Sequence, residues 1–124
     1  MRRPSPLFLL KESIKSFLNF RFASQFVSEG KRLDVLINNA GCMTDPRTLT
    51  SDGLEANFAT NTLGAHILTE TLIPALSKSS DPRVIMVSSG GMLTQKLDAN
   101  DLQTEKKSFD ATMVYAQNKR QVGL

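Results

Sequence analysis

Two short aliphatic runs, "LDVLINNAG" and "RVIMVSSGG", each end in small and polar residues, and a long amphipathic stretch lies between them. Runs this short and this apolar read as strands buried on both faces, opening at Asn38, Asn39 and Gly41 and at Ser88, Ser89, Gly90 and Gly91 into loops. Between them, Leu54, Phe58, Ala65, Leu68, Leu72 and Leu76 form one helical stripe, with Ser51 or Asp52 placed to cap its start. Upstream, Ile14, Leu18, Phe22 and Phe26 recur at steps of four, which predicts a helix from Lys11 to about Ser28, stopped by Gly30. Pro46 marks a turn, and the polar stretch 92–111 precedes a last helix. Strand, helix, strand, helix is the α/β pattern, in which a ligand site lies outside the carboxyl ends of the strands.

Composition narrows the function classes. The 124 residues are 40% hydrophobic, enough for one small domain with a core. Fifteen basic and twelve acidic side chains leave a net charge of +3, with no dense basic run, so nucleic-acid binding has no support. Cys42 is single and reads as an incidental small apolar residue; no His/Cys cluster has metal-ligand spacing, so no structural metal is expected. No apolar run reaches the roughly 18 residues that span a bilayer. Cytoplasmic location is the default expectation; Arg2, Arg3 and Arg21 around a short apolar patch keep organelle targeting as the alternative.

Three polar features remain. Tyr115 and Lys119 in "MVYAQNKR" stand one helical turn apart on one face, either as a proton-transfer pair or as ordinary helix surface. Asn61 falls inside the apolar stripe, where an unpaired amide would cost about 1–3 kcal/mol, so it is either a core amide bonded to backbone or a group placed for a task. Gly64, three residues on, weakens the helix there and predicts a local bend or a released carbonyl. The α/β rule brings all of these to one sheet edge.

Together, "NNAG" after a strand, the helical Asn of "TNTLG", the serines of "VSSGG" and the Tyr-x-x-x-Lys pair resemble the short-chain dehydrogenase/reductase family over residues 22–120. The resemblance implies a Rossmann-like, doubly wound parallel sheet and an NAD- or NADP-dependent oxidoreductase acting on an alcohol or carbonyl. In that reading Tyr115 is the general acid/base. A free phenol titrates near 10, so a cation such as Lys119 beside it is needed to favour phenolate. Lys119 would also hydrogen-bond the nicotinamide ribose. Ser89, or less favourably Ser88, would polarise the substrate oxygen, and Asn61 would help hold a water linking Lys119 to solvent. Asn38, Asn39, Ala40 and Gly41 would line the cofactor, chiefly through Asn39. The resemblance also implies packing of the Asn61 and Tyr115 helices between subunits of a homo-oligomer.

The departures are equally specific. No Gly-rich turn precedes "NNAG", so the backbone cradle for a pyrophosphate is missing. Residues 1–21 form a divergent leader and 121–124 a divergent end, leaving two readable strands of the family's usual seven. A sheet this small is expected to expose apolar surface, as a piece of a longer chain or as a non-catalytic product that associates through its apolar helices. The Ser89-to-Tyr115 interval resembles that of retinol-dehydrogenase-like members and implies a lipid-like substrate; a surface insertion is the alternative.

Overall fold

The computed structural model describes residues 18–123. The predicted helix start at 11–17 and most of the leader lie outside them. The elements are α1 (Leu18–Ser28), β1 (Val35–Asn38), α2 (Ala56–Phe58), a π-helical segment (Ala59–Gly64), α3 (Ala65–Leu76), β2 (Arg83–Met86), a 3-10 turn (Gly90–Thr94) and α4 (Ala111–Val122). They fall into two compact units, 18–36 with 66–83, and 37–65 with 84–123.

β1 and β2 form a two-stranded sheet. Arg83 N–H donates to Asp34 O (2.9 Å) and Val87 N–H to Asn38 O (3.0 Å), the same residue offset in the same direction, so the pair is parallel. Burial differs from the expectation of strands covered on both faces. Val35 and Ile37 of β1 are exposed while Leu36 and Asn38 are buried, and Val84 and Ile85 of β2 are exposed as well. With two strands described, one face of β1 and both faces of β2 have no covering layer.

In the first unit, Ala23 of α1 packs with Leu36, Leu72 and Leu76, and Phe26, Val27, Leu33 and Leu68 flank this core. The predicted stripe was one residue off centre: Phe22 is 61% exposed, because the buried line of α1 runs through Ala23 and Val27 and leaves Phe22 at its edge. Gly30, at φ +71°, ends the helix as expected, since only glycine adopts that conformation without strain. Its carbonyl accepts from Lys78 Nζ (2.7 Å).

In the second unit the central helix starts later than the sequence predicts. Ser51 and Asp52 do not cap it. Thr50 N–H donates to Leu54 O (2.7 Å) and Gly53 N–H to Thr50 O (3.0 Å), with Gly53 at φ +79°. Leu49 and Glu55 pair as an isolated antiparallel bridge, so residues 49–55 form a tight hairpin around the "DG" dipeptide. Glu55 becomes the cap. Gly64, where the sequence predicts a bend or a released carbonyl, ends a π-helical segment, a wider turn that displaces main-chain groups from the α-helical ladder. Ser89 caps the 3-10 turn that leads into the polar stretch, and Asp110 caps α4 near its end, accepting from Met113 N–H at 2.8 Å. Lys107 binds Asp98, and that hydrogen bond holds the Asp98 carboxyl below its usual range.

Candidate active site

All of the singled-out polar residues lie in the second unit. Asn38 ends β1 with its side chain buried, Nδ2 directed at Met86 Sδ (3.0 Å), while Asn39, Ala40 and Gly41 leave the strand exposed. The sheet thus takes Asn38 inward and leaves the next three residues exposed. Gly41 makes the close approach: a Cβ there would lie 3.3 Å from Asn61 Oδ1 and 3.5 Å from Lys119 Nζ. The strand-end loop, the π segment and α4 therefore converge on one glycine. Gly41→Val is expected to cost about 1–3 kcal/mol through overpacking, read as a lower urea midpoint; an unchanged midpoint would show that the loop yields freely.

Asn61 is buried, 2% exposed, and its amide is bonded to backbone. Oδ1 accepts from Cys42 N–H (2.8 Å), and Nδ2 donates to Cys42 O (2.8 Å) and to Asn118 Oδ1 (3.2 Å). One helical turn earlier, Asn57 does the same for Thr44. Its Oδ1 accepts from Thr44 N–H (2.7 Å) and its Nδ2 donates to Thr44 O (3.2 Å). Two amides four apart on a helix thus clasp two residues two apart in an extended chain, because both spacings place side chains or main-chain groups on one side. Beneath them Glu55 is fully buried. Its carboxylate accepts from Asn57 N–H (2.9 Å), Phe58 N–H (2.7 Å) and Asn57 Nδ2 (2.9 Å).

Ser88 and Ser89 have different tasks. Ser88 Oγ donates to Lys119 O (2.9 Å) and also contacts Met92 Sδ, which commits its proton to α4. Ser89 Oγ accepts from Gly91 N–H (3.2 Å), and its own proton has no acceptor among the described residues. Only Ser89 keeps a donor for a ligand oxygen.

Lys119 is 3% exposed, yet among the described residues no carboxylate pairs with it. Its Nζ donates to Val87 O (2.9 Å) and stands 5.6 Å from the centroid of the Tyr115 ring. The Val87 carbonyl takes one N–H of that nitrogen, and the others have no acceptor among the described residues. Tyr115 is half-buried one turn back on the same helix face. No group of His, Cys, Asp and Glu among the described residues can hold a metal, and none of the described helices is long and apolar enough to cross a membrane.

The family model described as short chain dehydrogenase matches residues 18–98. The chain belongs to the short-chain dehydrogenase/reductase family. It is 67% identical over 102 residues to dehydrogenase/reductase SDR family member 12 of Homo sapiens, covering 82% of this chain and 32% of that protein. With retinol dehydrogenase 13 of Homo sapiens the identity is 36% over 107 residues, 86% of this chain and 32% of the relative. The crystal structure of an uncharacterized protein from Mycobacterium Paratuberculosis superposes with a TM-score of 0.65 at 32% identity, covering 81% of this chain and 36% of that one. The chain thus spans about a third of the length of these relatives and holds part of a Rossmann-like α/β fold from an oxidoreductase family.

Three buried groups beside the candidate site escaped sequence reasoning: Glu55, Asn57 and Asn118. Asn57 was within reach, since "NFATN" repeats the amide at a spacing of four. Glu55 and Asn118 carry no such signal, because a charged or polar residue at a helix start or beside a lysine reads as solvated surface.

Proposed function

We propose that this chain carries the proton-transfer site of an NAD(P)-dependent oxidoreductase acting on a small alcohol or carbonyl substrate. The observation that supports it most is the buried Lys119 Nζ beside the Tyr115 ring, with no carboxylate paired to it among the described residues. In this reading the Tyr115 hydroxyl exchanges a proton with the substrate oxygen. Ser89 donates its free proton to the same oxygen and stabilises charge that develops there. Lys119 places its Nζ beside the Tyr115 ring, 5.6 Å from the centroid. The spare Lys119 donors and the exposed Asn39, Ala40 and Gly41 fit the nicotinamide-ribose end of a dinucleotide. When bound, the nicotinamide supplies or accepts the hydride. The amide of Asn61 is committed to Cys42 and Asn118, so a water linking Lys119 to solvent would use the Asn61 main-chain carbonyl in the π segment. The retinol dehydrogenases among the relatives support a lipid-like alcohol or aldehyde as substrate.

Protein captured from its native source with an antibody to residues 45–59 tests the reading. Its intact mass shows whether these 124 residues are the whole product, and its oxidation of NADH or NADPH with a panel of aldehydes that includes retinal shows whether it turns over. Cofactor oxidation dependent on the aldehyde is expected from a longer product; its absence there would leave the non-catalytic alternative, which the exposed Val35, Ile37 and Ile85 favour. The 124-residue chain alone lacks the glycine cradle for a pyrophosphate. It is expected to give no saturable change in NADH or NADPH fluorescence, and a saturable change would overturn that expectation.

A further inference from the structure

We propose that Asn118 is a positioning residue for the Lys119 ammonium, acting through the amide of Asn61. Asn118 is fully buried, and it belongs to a hydrogen-bonded cross-link between α4 and the π segment. Its Oδ1 accepts from Asn61 Nδ2 (3.2 Å), and its Nδ2 donates to Gln121 Oε1 (3.4 Å). Gln121 Oε1 also accepts from Thr62 Oγ1 (2.7 Å). Two adjacent residues of the π segment are thus bonded to two residues one turn apart on α4.

The cross-link fixes how α4 is rotated about its own axis. Lys119 follows Asn118 directly, and a helix advances its side chains by 100° per residue, so a slip that breaks the Asn118 bond also swings Lys119. The position of Lys119 Nζ is tightly specified. It donates to Val87 O at 2.9 Å, and it lies 3.5 Å from where a Cβ on Gly41 would be. Asn61 Oδ1 stands 3.3 Å from that same point, so Asn61 closes the space beside the ammonium. Asn118 acts on the proton-transfer pair without touching a reacting atom. An apolar residue of similar size would fill the volume but leave Asn61 Nδ2 with one acceptor fewer.

What Asn118 positions Lys119 for rests on the oxidoreductase reading; the hydrogen-bond relay does not, and its test needs neither cofactor nor substrate. Side-chain NMR of the isotopically labelled 124-residue chain reads two sites, the Asn61 Nδ2 protons and the Lys119 Cε and Nζ groups. Lys78, which binds Gly30 O in the other unit, is the control. In Asn118→Leu the Asn61 amide protons should exchange about tenfold faster, and the Lys119 signals should move while those of Lys78 do not. Asn118→Asp keeps Oδ1 as an acceptor and should restore slow exchange at Asn61. If Asn118→Leu does not fold, Asn118→Ser, too short to reach Asn61, takes its place with the same expectation. A fall in thermal midpoint with Asn61 exchange and Lys119 signals unchanged would reduce Asn118 to packing and overturn the proposal, as would equal behaviour of the Leu and Asp variants. Either failure leaves the reading of Tyr115 and Lys119 standing, while absence of turnover in the captured protein leaves the relay intact.

Discussion

Glu55→Ala is expected to destabilise the chain by about 3 kcal/mol, seen as a fall of roughly 10–15 °C in thermal midpoint. Three donors lose their acceptor at once: the main-chain N–H groups of Asn57 and Phe58 and the side-chain amide of Asn57, all buried with Glu55. An exposed cap would let water replace the carboxylate. Here burial prevents that, so the cost exceeds the 0.5–2 kcal/mol of an ordinary N-cap loss. The damage should spread, because Asn57 holds Thr44 and the same extended segment holds Asn61 through Cys42. Glu55→Gln retains one acceptor oxygen and turns an NH2 toward N–H donors, so an intermediate loss is expected. Amide exchange at residues 42–44 should accelerate in both variants. A change below 1 kcal/mol in Glu55→Ala would mean that water reaches the site and that the network is not closed.

The second large effect concerns turnover in the captured protein. Tyr115→Phe removes the phenolic hydroxyl that the proposed reading uses for proton exchange, and a loss of about 10²–10⁴-fold is expected. Lys119→Met keeps the length of the stem and deletes the ammonium near the ring, together with its bond to Val87 O. It should lower turnover by a similar factor and weaken cofactor affinity, since the two spare N–H donors disappear as well. Tyr115→Phe should leave cofactor affinity within a few-fold, and that contrast separates proton transfer from binding. Retention of more than a tenth of turnover in Tyr115→Phe would remove Tyr115 from the chemistry.

Much of the fold was legible because it follows from period and punctuation. Leu36, Leu72 and Leu76 are buried as their apolar patterns require, Gly30 stops α1, and the two aliphatic runs pair in parallel with "NNAG" and "SSGG" following them. Asn61 stood out for being polar on an apolar stripe, and it is buried where that stripe predicts. The helix start was misplaced because Ser51 and Asp52 satisfy the local capping rule better than Glu55, the residue that caps it. The tight turn at Gly53 and the pairing of Leu49 with Glu55 decide between them, and both are contacts across the hairpin.

By itself the sequence determined the α/β order, the convergence of polar residues at the carboxyl ends of the strands, and the one-turn spacing of Tyr115 and Lys119. Each of these depends on neighbours within a few residues or on a repeating period. Only the tertiary structure decided which serine is committed to α4, that Lys119 is buried against the Val87 carbonyl with no carboxylate beside it among the described residues, and that Asn118 reaches Asn61. The deciding pairings, Ser88 with Lys119, Lys119 with Val87 and Asn118 with Asn61, join residues 31 or more positions apart. A residue's letter shows what it is able to donate or accept; the partner it meets is set by how strand end, π segment and helix pack.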